Sequence, residues 1–272
     1  MNSDDLPRSP ARIWGVPFRP LTLQQTVEAV SALVERDEPA FFITANTHYA
    51  MLTVENPDLR EVNDLANFIV ADGAPLVWAS RRTATPLPER VAGSDLIFEI
   101  CRLAALRKYR VFIAGGAPGV AEEAARNLVA RYPGLSVVGT AAPSFRDSSE
   151  SEYDQLKSVV QAARPHILIV AATMPFGERW IAEHHADLGV PLSVNLGAAL
   201  DFAAGRIARA PRWVQRVGFE WAFRLLLEPR RLFSRYARNA RFIVRMLIRG
   251  DGATPTDRGA LDRRSMDARV DR

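Results

Sequence analysis

The stretch IVADGAPLVW, residues 69–78, sets a carboxylate, Asp72, and a glycine, Gly73, directly after an apolar run. A carboxylate at the end of a buried strand can act as a general base, because burial raises its proton affinity from an ordinary pKa of about 3.9 toward neutrality. The same position also suits an N-cap for a helix beginning near Gly73, and the residue types alone leave both roles open. A second stretch, AGGAPGV at 114–120, is a glycine turn where a strand passes into a helix. Backbone amides at such a turn can meet a phosphate. It is not a full G-x-G-x-x-G, and a glycine turn there also has an ordinary structural use.

Other chemistries find no foothold. There is no G-x-x-x-x-G-K-[ST] for a Walker-type NTPase and no G-x-S-x-G nucleophile elbow. The histidines are His48, His166, His184 and His185, with no H-E-x-x-H and no Cys/His cluster for zinc. His184 and His185 are neighbours on a predicted helix and are expected at the surface. No Asp-x-Asp pair stands ready to hold a divalent cation on a diphosphate. A diphosphate ligand would therefore draw its positive charge from arginines and helix N-termini.

The elements that must position these residues alternate. FFITAN (41–46), FIVAD (68–72), RVFIAGG (110–116), LSVVGT (135–140), HILIVAAT (166–173) and LSVNLG (192–197) predict strands, nearly continuous in apolar residues and so covered on both faces. Between them, residues 22–36, 94–108, 118–131, 150–163 and 175–188 carry apolar residues at helical spacing, with Thr22, Ser94 and Ser149 placed as N-caps. This alternation predicts an α/β fold with a doubly wound, mostly parallel sheet. Ligands then bind beyond the carboxyl ends of the strands, where Thr44, Asn46, Asp72, Gly73, Gly115, Gly116, Thr173, Asn195 and Gly197 stand.

At 272 residues the chain is long enough to bury roughly three quarters of its unfolded surface. Its single cysteine, Cys101, reads as a small core residue and suits a reducing compartment. The N-terminus lacks a signal-peptide pattern, and no run of about 18 apolar residues is present, so a cytoplasmic protein is expected. Charge is uneven. Residues 205–249 hold twelve arginines against Glu220 and Glu228, a balance of +10; residues 250–272 balance five acids with five arginines; residues 1–204 carry the remaining −6 of the net +4. Three regions follow: an α/β core at 1–204, a basic amphipathic helical appendage at 205–249 and a disordered tail at 250–272. In the appendage Pro211 and Pro229 mark helix breaks or first turns, and Trp213, Val217, Trp221 and Leu225 recur every four residues. Such a segment suits an anionic membrane surface or a phosphorylated ligand.

The strings TANTHYAM, ADGAPLVW, PERVAGSDL, GGAPGVAEEAA and GRIARAPRWVQRVGFEWAFRLLLEPRRL resemble the WecG/TagA/CpsF glycosyltransferases from about Gly15 to Ile248. The resemblance implies a metal-independent, cofactor-free inverting transferase on the inner face of the cytoplasmic membrane. It would move a sugar from a UDP-sugar to a monosaccharide linked through pyrophosphate to a polyprenyl lipid, in the synthesis of bacterial surface polysaccharides. Glucose, N-acetylmannosamine and its uronic acid are the donors such a family suggests. Asp72 matches the catalytic base, and Thr44 and Asn46 beside it complete the expected catalytic set. Arg90 matches a substrate-binding arginine, and Arg224 and Arg231 match arginines that reach the lipid pyrophosphate. Gly115, Gly116, Glu178 and Gly197 complete the expected substrate-binding set.

Two departures stand out. The family's G-x-P-x-Q-E segment reads TMPFGE here, keeping Pro175 and Glu178 but placing Gly177 at the glutamine and Thr173 at the leading glycine; Leu200 replaces an aromatic. A Rossmann-type oxidoreductase and a non-enzymatic membrane-surface adaptor are the competing readings. The first lacks an acidic ribose partner after GGAPG, and nucleic acid is not expected as a partner because the arginines are confined to one Trp- and Leu-rich segment.

Overall fold

The structure, a computed structural model, describes residues 9–207, 210–211, 220–227 and 229–249, apart from the side chains at 220, 224, 227, 231 and 249. Its strands are β1 (Ala11–Ile13), β2 (Val16–Phe18), β3 (Phe41–Ala45), β4 (Phe68–Ala71), β5 (Arg110–Gly115), β6 (Ser136–Ala141), β7 (Ile167–Ala171) and β8 (Leu192–Asn195). The helices are α1 (Leu23–Arg36), α2 (Thr47–Glu55), α3 (Leu59–Leu65), α4 (Ala74–Ser80), α5 (Gly93–Arg107), α6 (Val120–Arg131), α7 (Glu150–Ala163), α8 (Phe176–Leu188), α9 (Ala199–Ala203), α10 (Glu220–Leu227) and α11 (Pro229–Arg249).

Six strands form one sheet in the order β4-β3-β8-β7-β5-β6, every neighbouring pair parallel, as the alternation predicts. Successive residues of a strand feed opposite cores. Phe41, Ile43 and Ala45 of β3 join a cluster with β1, β2, α2 and α8, while Phe42 joins Val30, Ile97 and Ala124 from α1, α5 and α6. Burial on both faces is what makes the strand sequences continuously apolar.

The predicted caps are partly realised. Thr22 and Gln25 form a reciprocal capping box at α1, and Ser149 with Glu152 does the same at α7. Ser94 does not cap; Ala92 precedes α5 and Ser94 lies buried in its first turn, because the chain is already fixed upstream by the bond from Val91 N to Ala71 O. Cys101 is fully buried, and burial pushes its thiol up to about 12. His184 is not a surface residue, and His185 is only partly exposed. Helix α8 lies against the sheet, α3 and α7 together, so more than one of its stripes is covered. His184 is 7% exposed and sits edge-on to Trp180 at 5.3 Å, and His185 meets Phe41 at 4.9 Å.

The sequence does not announce the β1–β2 hairpin. Trp14 and Gly15 both take positive φ, the geometry of a two-residue hairpin turn, although the first position holds a bulky residue. Trp14 is held by packing instead: it is buried and lies edge-on to Phe242 of α11 at 5.3 Å. Phe242 and Met246 share the core cluster of the hairpin, so α11 is seated on the α/β body. Pro229 opens α11, where its missing N–H costs nothing. No described helix is long and apolar enough to cross a membrane. Trp213, Val217 and the tail at 250–272 lie outside the described residues.

Seating of α11 through Phe242 makes a measurable claim. Phe242→Ala is expected to lower unfolding free energy by about 3 kcal/mol, the usual cost of emptying a buried phenylalanine site. Urea titration checks it, and a loss below about 1 kcal/mol would mean that α11 is not packed as described.

Candidate active site

Because all six strands point the same way, their carboxyl ends open onto one crevice. A cavity of about 930 Å³ occupies it, walled by the ends of β3, β4, β5, β7 and β8 and by α11. Thr44, Asn46, Asp72, Arg90, Gly116, Thr173 and Gly197 all line it.

Thr44, Asn46 and Asp72 are each placed by identifiable bonds. Thr44, 2% exposed, donates from Oγ1 to the Asn195 carbonyl at 3.2 Å and so ties β3 to β8. Asn46 is the N-cap of α2, accepting from Tyr49 N at 3.1 Å. Asp72 follows β4, with its amide still paired to Ala45 O at 2.9 Å. Helix α4 has Gly73 as its N-cap, without a side-chain cap bond. The Asp72 carboxylate reaches a different helix: Oδ2 accepts from Gly93 N, the first residue of α5, at 3.2 Å. The positive end of α5 thus faces a negative charge. Arg90 enters the same wall because the segment before α5 pairs with β4 through Val91 N and Ala71 O, 2.9 Å apart. Its neighbour Glu89 accepts from Leu23 N of α1 at 2.6 Å.

Two residues of the expected set stand behind the wall. Gly115 does not line the cavity; a Cβ on it would come within 2.5 Å of Ala171 O, so it permits the close approach of β5 to β7. Glu178 is 1% exposed and also lies outside the lining, with Oε1 accepting from Asn195 Nδ2 at 2.9 Å and Oε2 unpartnered. Burial pushes its carboxyl up to about 7, outweighing the Asn195 bond, which pulls the other way. Arg224 and Arg231 have backbones in α10 and α11, but their side chains lie outside the described residues.

Other lining residues escape the sequence reading. His48, Arg235 and Asn239 meet where α2 faces α11. Burial, and then the charge of Arg235, hold the His48 imidazole below its ordinary pKa, which keeps it neutral at pH 7. Arg146 spreads over the Phe176 ring at 5.1 Å beside the cavity. Arg235 is one of many arginines in its helix, and only the packing of α11 singles it out. Among the described residues no group of three or more His, Cys, Asp or Glu side chains could hold a metal ion.

Residues 11–253 match the sequence profile of the glycosyl transferase WecG/TagA/CpsF family. The chain belongs to that family. Among its relatives is an N-acetylglucosaminyldiphosphoundecaprenol N-acetyl-beta-D-mannosaminyltransferase of Bacillus spizizenii, 29% identical over 198 residues, covering 73% of this chain and 75% of the relative. The Bacillus subtilis protein of the same name is 29% identical over 190 residues, 70% and 72% of the two chains. That of Staphylococcus aureus is 28% identical over 222 residues, 81% and 85%. The PERVAGSD and ADGAP segments meet at one wall of the cavity, joined by the bond from Gly93 N to Asp72 Oδ2.

The buried Glu178 has a pH signature. Its folded pKa of about 7 lies above the ordinary value of 4.5, so between these the folded state holds a proton that the unfolded state lacks. Its contribution to stability is present below about pH 4.5 and falls as pH rises through 7, by up to about 3 kcal/mol. The stability of wild type relative to Glu178→Gln should fall by that order as pH rises across this window in urea titrations. A pH-independent difference would show that Glu178 ionises normally in the fold.

Proposed function

We propose that the protein transfers a sugar, with inversion, from a UDP-sugar to a polyprenyl-pyrophosphate-linked monosaccharide, working at a membrane surface. The supporting observation is that Asp72, Arg90 and the α11 residue Arg235 line one cavity at the carboxyl ends of the sheet.

In this reading the acceptor hydroxyl lies against Asp72, which takes its proton as the oxygen attacks the anomeric carbon from the face opposite UDP. The bond from that carbon to the phosphate oxygen breaks, and UDP leaves with the electron pair. Thr44 and Asn46 fix the neighbouring backbone. The growing diphosphate charge needs donors, and Gly116 and Gly197 offer close backbone approach while arginines offer a planar fork of N–H groups. Arg90 and Arg235 are the described candidates; Arg224 and Arg231 are assigned the lipid pyrophosphate by family resemblance. The substrates require no resident cofactor in this scheme.

The α/β core at 1–204 holds the nucleotide, and the arginine-rich 205–249 segment meets the lipid side. Phe233, Leu247 and Ile248 of α11 are 67%, 49% and 80% exposed, beside Arg241 and Arg245. Exposed apolar residues among arginines suit the interface of an anionic bilayer, on the cytoplasmic face where UDP-sugars are found. The donor in the relatives' printed names makes N-acetylmannosamine the first sugar to test.

Asp72→Asn should lower acceptor-dependent UDP release by about 100-fold or more while leaving the melting temperature and UDP binding near wild type. Undiminished turnover would remove Asp72 as the base. Because α11 carries core residues as well, membrane contact is best tested with exposed positions. Leu247→Asp with Ile248→Asp should abolish co-sedimentation with phosphatidylglycerol vesicles without loss of fold; unchanged sedimentation would contradict the membrane assignment of this face.

A further inference from the structure

The exits of β7 and β8 carry cavity residues. Each turn has its own backbone bonds, such as Phe176 N to Thr173 O and Ala199 N to Leu196 O, and one carboxamide links the two turns to each other. Asn195, 2% exposed at the last position of β8, accepts through Oδ1 from Ala172 N at 3.0 Å and from Gly197 N at 3.3 Å. Through Nδ2 it donates to Ala172 O at 3.2 Å and to Glu178 Oε1 at 2.9 Å. The side chain thus joins three segments: the turn after β7, the turn after β8 and the first turn of α8. Ala172 and Gly197 line the cavity, whereas Asn195 and Glu178 do not.

The space this amide fills explains its neighbour. A Cβ added to Gly177 would lie 2.6 Å from both Asn195 Cγ and Nδ2, and 2.9 Å from the Ala172 Cβ. Real Cβ atoms do not approach so closely, so a side chain at 177 and the Asn195 amide in its present place exclude one another. The backbone leaves little slack, since a Cβ on Gly197 would sit 3.3 Å from Ala172 O.

We propose that Asn195 is a positioning residue that sets the donor-side floor of the cavity by clamping the Ala172 and Gly197 turns to Glu178, and that residue 177 is glycine to make room for it. The role as floor of a nucleotide site rests on the glycosyl transfer reading; the clamp itself does not. The pair also accounts for the glycine where the family resemblance leads one to expect a glutamine: any side chain there would meet the amide that Asn195 brings from β8. Glu178 then has a structural task, as the buried acceptor that orients the Asn195 amide.

Three readouts on the full-length protein separate these claims. Amide hydrogen exchange by NMR should accelerate at least tenfold at Ala172 and Gly197 in Asn195→Ala, and Asn195→Ser, too short to span the three segments, serves the same comparison if the alanine variant does not fold. Thermal melts should show Gly177→Ala strongly destabilised, with Asn195→Ala added to it recovering more than half of the lost melting temperature. Calorimetry with UDP should show Kd raised at least tenfold in Asn195→Ala, while kcat at saturating donor stays within about threefold of wild type. A merely structural asparagine would instead lower melting temperature and active fraction and leave Kd unchanged. Unaltered exchange at both amides, or losses that simply add in the Gly177/Asn195 pair, would overturn the clamp. Failure of wild type to bind UDP at all would overturn the nucleotide-floor role and the glycosyl transfer reading together, with exchange and melting still deciding the clamp.

Discussion

Because every pair of neighbouring strands in the six-stranded sheet is parallel, the chain must return across the sheet after each strand, and all six carboxyl ends are left at one edge. Everything in the site depends on that constraint. Residues as distant in sequence as Thr44 and Gly197 become neighbours there, and the loops that carry them face a common cavity. The sheet's two apolar faces provide the rigidity, through cores that take alternate residues of each strand.

The open side of the cavity is completed by α11, whose role is divided along its length and around its circumference. Leu232, Phe242 and Met246 are buried, Arg235, Tyr236 and Asn239 face the cavity, and Phe233, Leu247 and Ile248 face outward. The negative body and positive arm read from composition therefore meet at this cavity. At the wall burial keeps His48 neutral, and behind the wall Glu178, bonded to Asn195, is pushed toward protonation.

The sequence makes the sheet legible because strands buried on both faces are written as uninterrupted apolar runs. Short helices are less so: THYAMLTVE of α2 buries Thr47, Tyr49, Ala50, Met51 and Thr53 without a clean apolar stripe. The hairpin hides because Trp14 adopts a turn conformation that glycine or asparagine normally announces. Asp72 is recognisable as a strand-end acid, but its bond to Gly93 N, 21 residues onward, depends on how the PERVAG segment folds back on β4. Asn195 likewise looks like any polar strand end; its partners lie 17 and 23 residues away and meet it only once β7, β8 and α8 are packed. Long-range packing is also what turns His184 inward and chooses Arg235 from its neighbours.

The measurement that bears most directly on the account is UDP release by the wild-type protein from a panel of UDP-sugars, in detergent, with and without a polyprenyl-pyrophosphate monosaccharide and with excess chelator. The account predicts release from one donor, dependent on the lipid-linked acceptor and undiminished by the chelator. No acceptor-dependent release from any donor, by protein that melts cooperatively and is offered several acceptor sugars, would contradict it.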